Sequence, residues 1–263
     1  MAITLKSQAE IAKMRSAGRI VAEVLALAEQ AIRPGASTAE VDGLAERHIR
    51  AAGGIPSFIG YLGGRRYAPD DPRAYRWATC ISIDNEIVHG IPGDRELQSG
   101  QVVSVDVGVI YRDWNGDGAR SFICGGTDAA TPATAGLIES TRLAMMAGIA
   151  AATPGNHVRD IGGAVEDIAL ERGYGVVRGY TGHGIGRDMH EDPAVPNFRG
   201  RDKGIQLRPG HCLAIEPMFT LGSEETALLP DRWTVVTVDG SLAAHFEHTI
   251  AVTSDGADIL TRV

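Results

Sequence analysis

Val102-Val103-Ser104-Val105-Asp106-Val107-Gly108-Val109-Ile110 is a β-rich run with polar residues interleaved among valines. Asn115-Gly116-Asp117-Gly118 then supplies turn chemistry, and Ala119 to Cys124 return as a hairpin partner that sets Asp117 across from Asp106. Further strands are expected at 79–83, 212–219, 233–238 and 244–253. Helical grammar alternates with them. In residues 7–32 the positions Ile11, Met14, Val21, Leu25, Ala28 and Ile32 recur at helical spacing, Ser7 and Glu10 fit a capping box, and Pro34-Gly35 stops the run. A second helix begins at Ser37, with Glu40 three residues on, and ends at Gly53-Gly54. Helices return over 132–152 and 157–172, and Pro34-Gly35, Val41 and Gly53 recur as Pro154-Gly155, Ile161 and Gly173. Each match lies about 120 residues on, which reads as two similar α+β halves.

The chain has 263 residues, 44% of them hydrophobic, enough to bury a sizeable core. Lys plus Arg number 25 against 33 Asp plus Glu, for a net charge of -8. Without a basic block, nucleic-acid binding is not expected. Cys80, Cys124 and Cys212 are odd in number and widely spaced, so they make neither a disulfide framework nor a CxxC site. Charges interrupt every apolar run of MAITLKSQAEIAKMR, and no stretch approaches the roughly 20 apolar residues of a membrane helix. A cytoplasmic protein without membrane binding is expected. No Pro/Ser-rich linker divides the chain, so a single domain over 1–263 without an N-terminal extension is expected. The stretch 63–74 (GGRRYAPDDPRA) reads as an exposed loop.

Ionisable groups stand inside otherwise apolar segments. Asp106 lies in VVSVDVGVI, Glu216 in CLAIEPMF, Glu247 in AHFEHTIAV and His183 in GYTGHGIG. Such groups cost several kcal/mol to bury unless paired or metal-bound. One buried carboxylate is more often a structural acceptor than a ligand. Asp106, Asp117, Glu216 and Glu247 converging with His183 would repel one another enough to demand cations. Four oxygen donors and one imidazole suit one or two ions such as Mn, Fe, Co or Zn. GHGIGRD is not a nucleotide loop, since it lacks the GxGxxG spacing and a following helix. There is no GxSxG, and no Cys/His pair in a catalytic context.

The order Asp106–Asp117–His183–Glu216–Glu247, in the contexts SVDVG, NGDGA, GHGIG, IEPM and EHT, resembles the ligand set of type I methionine aminopeptidases. The similarity runs from the first helix pair to EHTIAVT. It implies the pita-bread α+β fold, with two pseudo-symmetric halves and a central antiparallel sheet covered by helices. It implies two divalent metal ions (Co, Mn, Fe or Zn): Asp106 chelates one, His183 and Glu216 hold the other, and Asp117 and Glu247 bridge both. The implied activity is removal of the initiator methionine from nascent polypeptides with a small second residue, by two-metal-activated attack of water on the first peptide bond. Glu216 would accept that water's proton. His190, in GRDMHEDP, would steady the scissile carbonyl, and His89, in EIVHGIPGD, would contact the cleaved nitrogen. Phe58, Tyr61, Tyr75, Cys80, Met189 and Trp233 match the methionine pocket. A monomer working near the ribosomal exit tunnel is the further expectation.

The remaining histidines, at 48, 157, 211, 245 and 248, lack such context and read as structural. The chain departs from the family pattern in an insertion at 64–74, in Met189 where an aromatic is common, and in Gly108 where Thr is frequent. Type II enzymes carry a long insert between the ligand His and the next Glu, whereas His183 and Glu216 are 33 residues apart. Proline-specific peptidases share the ligands but carry a large extra N-terminal domain. Creatinase-like members lack the five ligands, and a non-enzymatic binding module would have lost some of them.

Overall fold

Helix starts in this chain coincide with side chains that satisfy the first-turn N–H groups. The computed structural model describes residues 3–63 and 67–263; residues 64–66 of the expected insertion lie outside the described residues. Helix α1 (Gln8–Ala31) begins after Ser7, whose backbone N–H donates to the Glu10 carboxylate at 2.8 Å while its hydroxyl accepts from the Glu10 N–H. Helix α2 (Thr38–Ala51) repeats this box with Ser37 and Glu40. Thr131 with Thr134 starts α3 (Pro132–Ala151), and His157 with Asp160 starts α4 (Val158–Arg172).

The two helix pairs turn at the same kind of corner. Gly35 and Gly155 take φ of 85° and 94°, which a side chain would resist. The Gly35 N–H donates to the Leu97 carbonyl and the Leu97 N–H returns to Ala36; Gly155, Leu207 and Asn156 repeat the exchange. Both leucines lead through a positive-φ glycine, Gly100 and Gly210, into a sheet strand. The repeat read in the helices therefore continues into the strands.

The strands are β1 (Ile55–Pro56), β2 (Thr79–Ile83), β3 (Glu86–Val88), β4 (Val102–Tyr111) and β5 (Trp114–Ile123), then β6 (Gly175–Val176), β7 (Gly182–Gly184) and β8 (Glu191–Val195). The last seven are β9 (Cys212–Ile215), β10 (Met218–Thr220), β11 (Thr226–Leu228), β12 (Val235–Thr237), β13 (Ala243–His245), β14 (Glu247–Thr253) and β15 (Gly256–Ile259). Nine of them form one sheet in the order β1-β4-β5-β14-β9-β7-β8, with β2 also on β4 and β15 also on β14. Val21, Val24 and Leu25 of α1 and Val41 and Ile49 of α2 pack on Ile81, Val103, Val105 and Val107. Met145 and Ile149 of α3 and Ile161 of α4 pack on Leu213, Ile215, Ile250 and Val252. This is the expected α+β pita-bread arrangement: two similar halves and a central antiparallel sheet covered by helices.

Three local expectations change. The β4–β5 hairpin turns at Arg112 and Asp113, with φ of 51° and 67°, between paired Tyr111 and Trp114. Asn115-Gly116-Asp117-Gly118 lies inside β5 instead. Gly116 is there because α1 crosses it: a Cβ at Gly116 would stand 2.7 Å from the Gly18 nitrogen. The expected strand 212–219 breaks at Glu216-Pro217, and 244–253 breaks at Phe246, Pro217 having no N–H to donate.

Gly18 in α1 tests this close approach. Helix propensity alone favours Ala there by about 1 kcal/mol, but a Cβ would meet the Leu260 carbonyl oxygen at 2.4 Å. Overpacking of about 1–3 kcal/mol wins, so Gly18→Ala lowers the calorimetric Tm by several degrees. An unchanged or raised Tm would contradict the tight α1 seat.

Candidate metal centre

Strand register decides which side chains meet. Cys80, Asp106, Ala119 and Glu247 are paired in one row across β2, β4, β5 and β14. Paired residues share a face and every second residue returns to it, so Asp117, two before Ala119, joins Asp106 and Glu247. In β9, Ala214 pairs with His183 of β7 and with Thr249 of β14. His183 and, two residues past Ala214, Glu216 thus face the same way. All five expected donors stand on one face of the sheet.

They also stand close together. His183 Nε2 is 3.5 Å from Glu216 Oε1 and 3.8 Å from Asp117 Oδ2. Donor atoms of Asp117, His183 and Glu247 lie within 4.8 Å of one another. The backbone beneath is fixed: the Asp117 N–H donates to the Thr249 hydroxyl at 3.0 Å, and that hydroxyl donates to the Asp117 carbonyl at 2.8 Å. His183 Nδ1 lies 2.9 Å from the Gly184 carbonyl. A proton on Nδ1 donates there and leaves the Nε2 lone pair toward the carboxylates, the orientation a metal-ligating imidazole needs. Gly182 and Gly184 make room around this histidine, since Cβ atoms there would meet the Ala214 and Asp192 carbonyl oxygens at 2.3 and 2.2 Å. They admit neighbouring strands rather than a ligand.

Asp106 Oδ1 and Glu247 Oε1 are buried without a hydrogen-bond partner among the described residues. Burial, reinforced by mutual repulsion, pushes the Asp106, Glu216 and Glu247 carboxyls well above their ordinary range. Asp117 is pushed up to about 7 by burial. Burial likewise lowers His183 to about 4, keeping it neutral. Orphaned carboxylate oxygens beside a neutral imidazole are an oxygen/nitrogen donor set that fits divalent first-row cations.

The donors open on a cavity of about 350 Å³ lined by Phe58, Tyr61, Tyr75, Cys80 and Trp233. Tyr75 belongs to an apolar wall because its hydroxyl turns outward, donating to the Thr79 and Gly90 carbonyls at 3.0 Å each. Its ring meets Trp233 edge-on at 5.1 Å. The Cys80 thiol is raised by burial and by the nearby Asp106 charge, so it is not a nucleophile. Met189 does not line the cavity. It packs behind Phe58, and a Cβ at Gly108 would stand 2.3 Å from Met189 Cε and 2.9 Å from Phe58 Cε1. Gly108 and Met189, both unusual for the resemblance, thus share one space.

His190 and His89 flank the donors. The His190 ring lies 4.1 Å from that of His183, with Nδ1 2.8 Å from the Tyr61 hydroxyl. Burial, then His183 and His89, lower His190 to about 2. His89 is lowered to about 4 by burial and holds φ of 60°, a strained conformation for a non-glycine residue. The sequence reading missed His245, which lines the cavity with Nε2 4.0 Å from Glu216 Oε2. A signal was present, because His245 stands two residues before Glu247. Tyr180, Thr181, Val88 and Met218 also line the cavity, and no local pattern marks them. His48, His157, His211 and His248 do keep structural places, bonded to Glu23, Asp160, Arg208 and Thr261 respectively.

Residues 12–254 match metallopeptidase family M24. Methionine aminopeptidase 1 of Bacillus subtilis is 43% identical over 261 residues, covering 99% of this chain and 100% of the relative. The Mycobacterium tuberculosis protein of the same name is 44% identical over 263 residues, covering 97% and 94%. The crystal structure of methionine aminopeptidase from Thermotoga maritima superposes with a TM-score of 0.92 at 37% identity, covering 100% of both chains.

The raised carboxyls predict a pH response. Without metal, the folded chain holds protons that an unfolded carboxyl, ordinarily near 3.8, has released, so stability falls as pH rises toward and past about 7. The buried neutral histidines act oppositely, but only below their ordinary 6.5. In EDTA the Tm should therefore fall between about pH 6.5 and pH 8. A Tm that is flat or rising over that interval would contradict the buried cluster.

Proposed function

This chain belongs to metallopeptidase family M24, and from that premise we propose that it removes the N-terminal initiator methionine from nascent proteins whose second residue is small. One observation carries the reading: four carboxylates and one imidazole on one sheet face open directly into an aromatic-walled apolar cavity. Two divalent ions are the proposed cofactor, and Asp106, Asp117, His183, Glu216 and Glu247 would hold them. Such ions supply Lewis-acid chemistry, lowering the pKa of water toward neutrality and polarising a carbonyl.

The chain's own residues do the rest. Phe58, Tyr61, Tyr75, Cys80 and Trp233 enclose the methionine side chain without offering it a polar partner. Glu216 accepts the attacking water's proton. With the Tyr61 hydroxyl donating to His190 Nδ1, the Nε2–H of His190 donates to the oxyanion growing on the scissile carbonyl. His89 meets the scissile nitrogen. Its ring and that of Tyr180, 5.7 Å apart, crowd the place of the second residue and favour a small one. The single unit over 1–263 acts as a cytoplasmic monomer on chains leaving the ribosome, with residues 67–74 folded back on Gly60 and Tyr61 beside the cavity.

Metal-stripped protein titrated with Mn, Co, Fe or Zn should release methionine from Met-Ala-Ser while leaving Leu-Ala-Ser and Ala-Pro-Ala intact. Cleavage before proline, or none with any metal, would overturn the reading. Loss of one oxyanion donor is worth about 10²–10³ in rate. His190→Ala should thus lower kcat by roughly that factor with KM little changed, and an unaltered kcat would remove His190 from its role.

A further inference from the structure

A second depression of about 350 Å³ adjoins the cavity, and Gly63, His89, Tyr180 and Trp233 line both. The inner cavity ends at the carboxylates and the aromatic box. A peptide anchored there by its first residue can extend across these four shared residues. Beyond them the groove's permanently charged lining residues are Arg73 and Arg232, and no carboxylate lines it among the described residues.

Two acidic residues, Asp71 and Asp231, stand beside these arginines in the sequence. Asp71 is held by Arg73 Nε and Nη2 at 2.9 and 2.6 Å, which fixes that guanidinium and engages neither Nη1 nor the rest of the groove. Asp231 Oδ1 accepts the Trp233 and Thr234 N–H groups at 2.8 and 2.9 Å. Arg232 makes no ion pair among the described residues, and its φ of 71° holds it in a tight turn closed onto the Leu229 carbonyl. A cationic groove on a chain of net charge -8 runs against the molecule's own field.

We propose that this groove receives the substrate's third and fourth residues and that Arg73 and Arg232 make it select acidic side chains there. The inference rests on the aminopeptidase reading above. Arg232, lacking an intramolecular counter-ion, contributes more than Arg73.

The test compares kcat/KM for Met-Ala-Glu-Glu-amide, Met-Ala-Gln-Gln-amide and Met-Ala-Lys-Lys-amide on the metal-loaded enzyme. The amide removes the C-terminal carboxylate, so any preference comes from side chains. Exposed pairs of this kind support roughly a three- to tenfold preference for Glu-Glu over Gln-Gln, carried mainly by KM and shrinking in high salt. Arg232→Gln should reduce the ratio more than Arg73→Gln, and the double variant should bring it to about one, with each variant's Tm checked against the parent. Free Met-Ala-Glu-Glu acid, run alongside, reads any added contribution from the terminus. Equal cleavage of all three amides, or a ratio unchanged in the double variant, would overturn the inference and leave the aminopeptidase standing. Cleavage of none would overturn both.

Discussion

Four carboxylates on one buried sheet face are the constraint around which this structure is arranged. Two charges at 4 Å in a protein interior repel strongly, and Asp106, Asp117, Glu216 and Glu247 cannot all ionise without compensation. Hydrogen bonds do not supply it, since Asp106 Oδ1 and Glu247 Oε1 have no partner among the described residues. The nearby imidazoles of His183, His190 and His245 are kept neutral by burial. What remains is protonation or divalent cations, and the register is firm enough to hold the cluster either way. Thr249 bonds both polar groups of the Asp117 backbone, α1 seats on Gly116, and two helix pairs clamp the sheet from behind.

The same face divides the site by polarity. Beside the donors stands an apolar box whose tyrosine hydroxyls are engaged, Tyr75 with backbone carbonyls and Tyr61 with His190. An apolar side chain fits there and a polar one would lose its hydration. Outward from His89 and Tyr180 the lining turns cationic. One end of a peptide is read by shape and desolvation, the other by charge.

Helix starts were legible because a capping box is local: Ser7 with Glu10 and Ser37 with Glu40 carry their own partners. The donors were legible because a charge in an apolar strand has few explanations. Their convergence came only with the family resemblance, since it depends on cross-strand register set by sheet closure, which no local pattern shows. The hairpin turn was misplaced for a physical reason. Arg112 and Asp113 accept positive φ without glycine, while the glycines of Asn115–Gly118 serve close packing against α1. His245 was passed over although the expected strand over 244–253 already set it two residues before Glu247, because none of the matched motifs includes it. Met189 and Gly108 looked like independent departures until their atoms proved to fill one space.

The most direct measurement is crystallographic: anomalous diffraction from crystals of the chain grown with Mn²⁺, collected above and below the manganese edge. Two ions are expected within ligand distance of Asp106, Asp117, His183, Glu216 and Glu247, with the Asp106 and Glu247 oxygens no longer unpartnered. Crystals with no anomalous peak at this face, and with hydrogen-bonded, protonated carboxyls in its place, would contradict a metal-built centre.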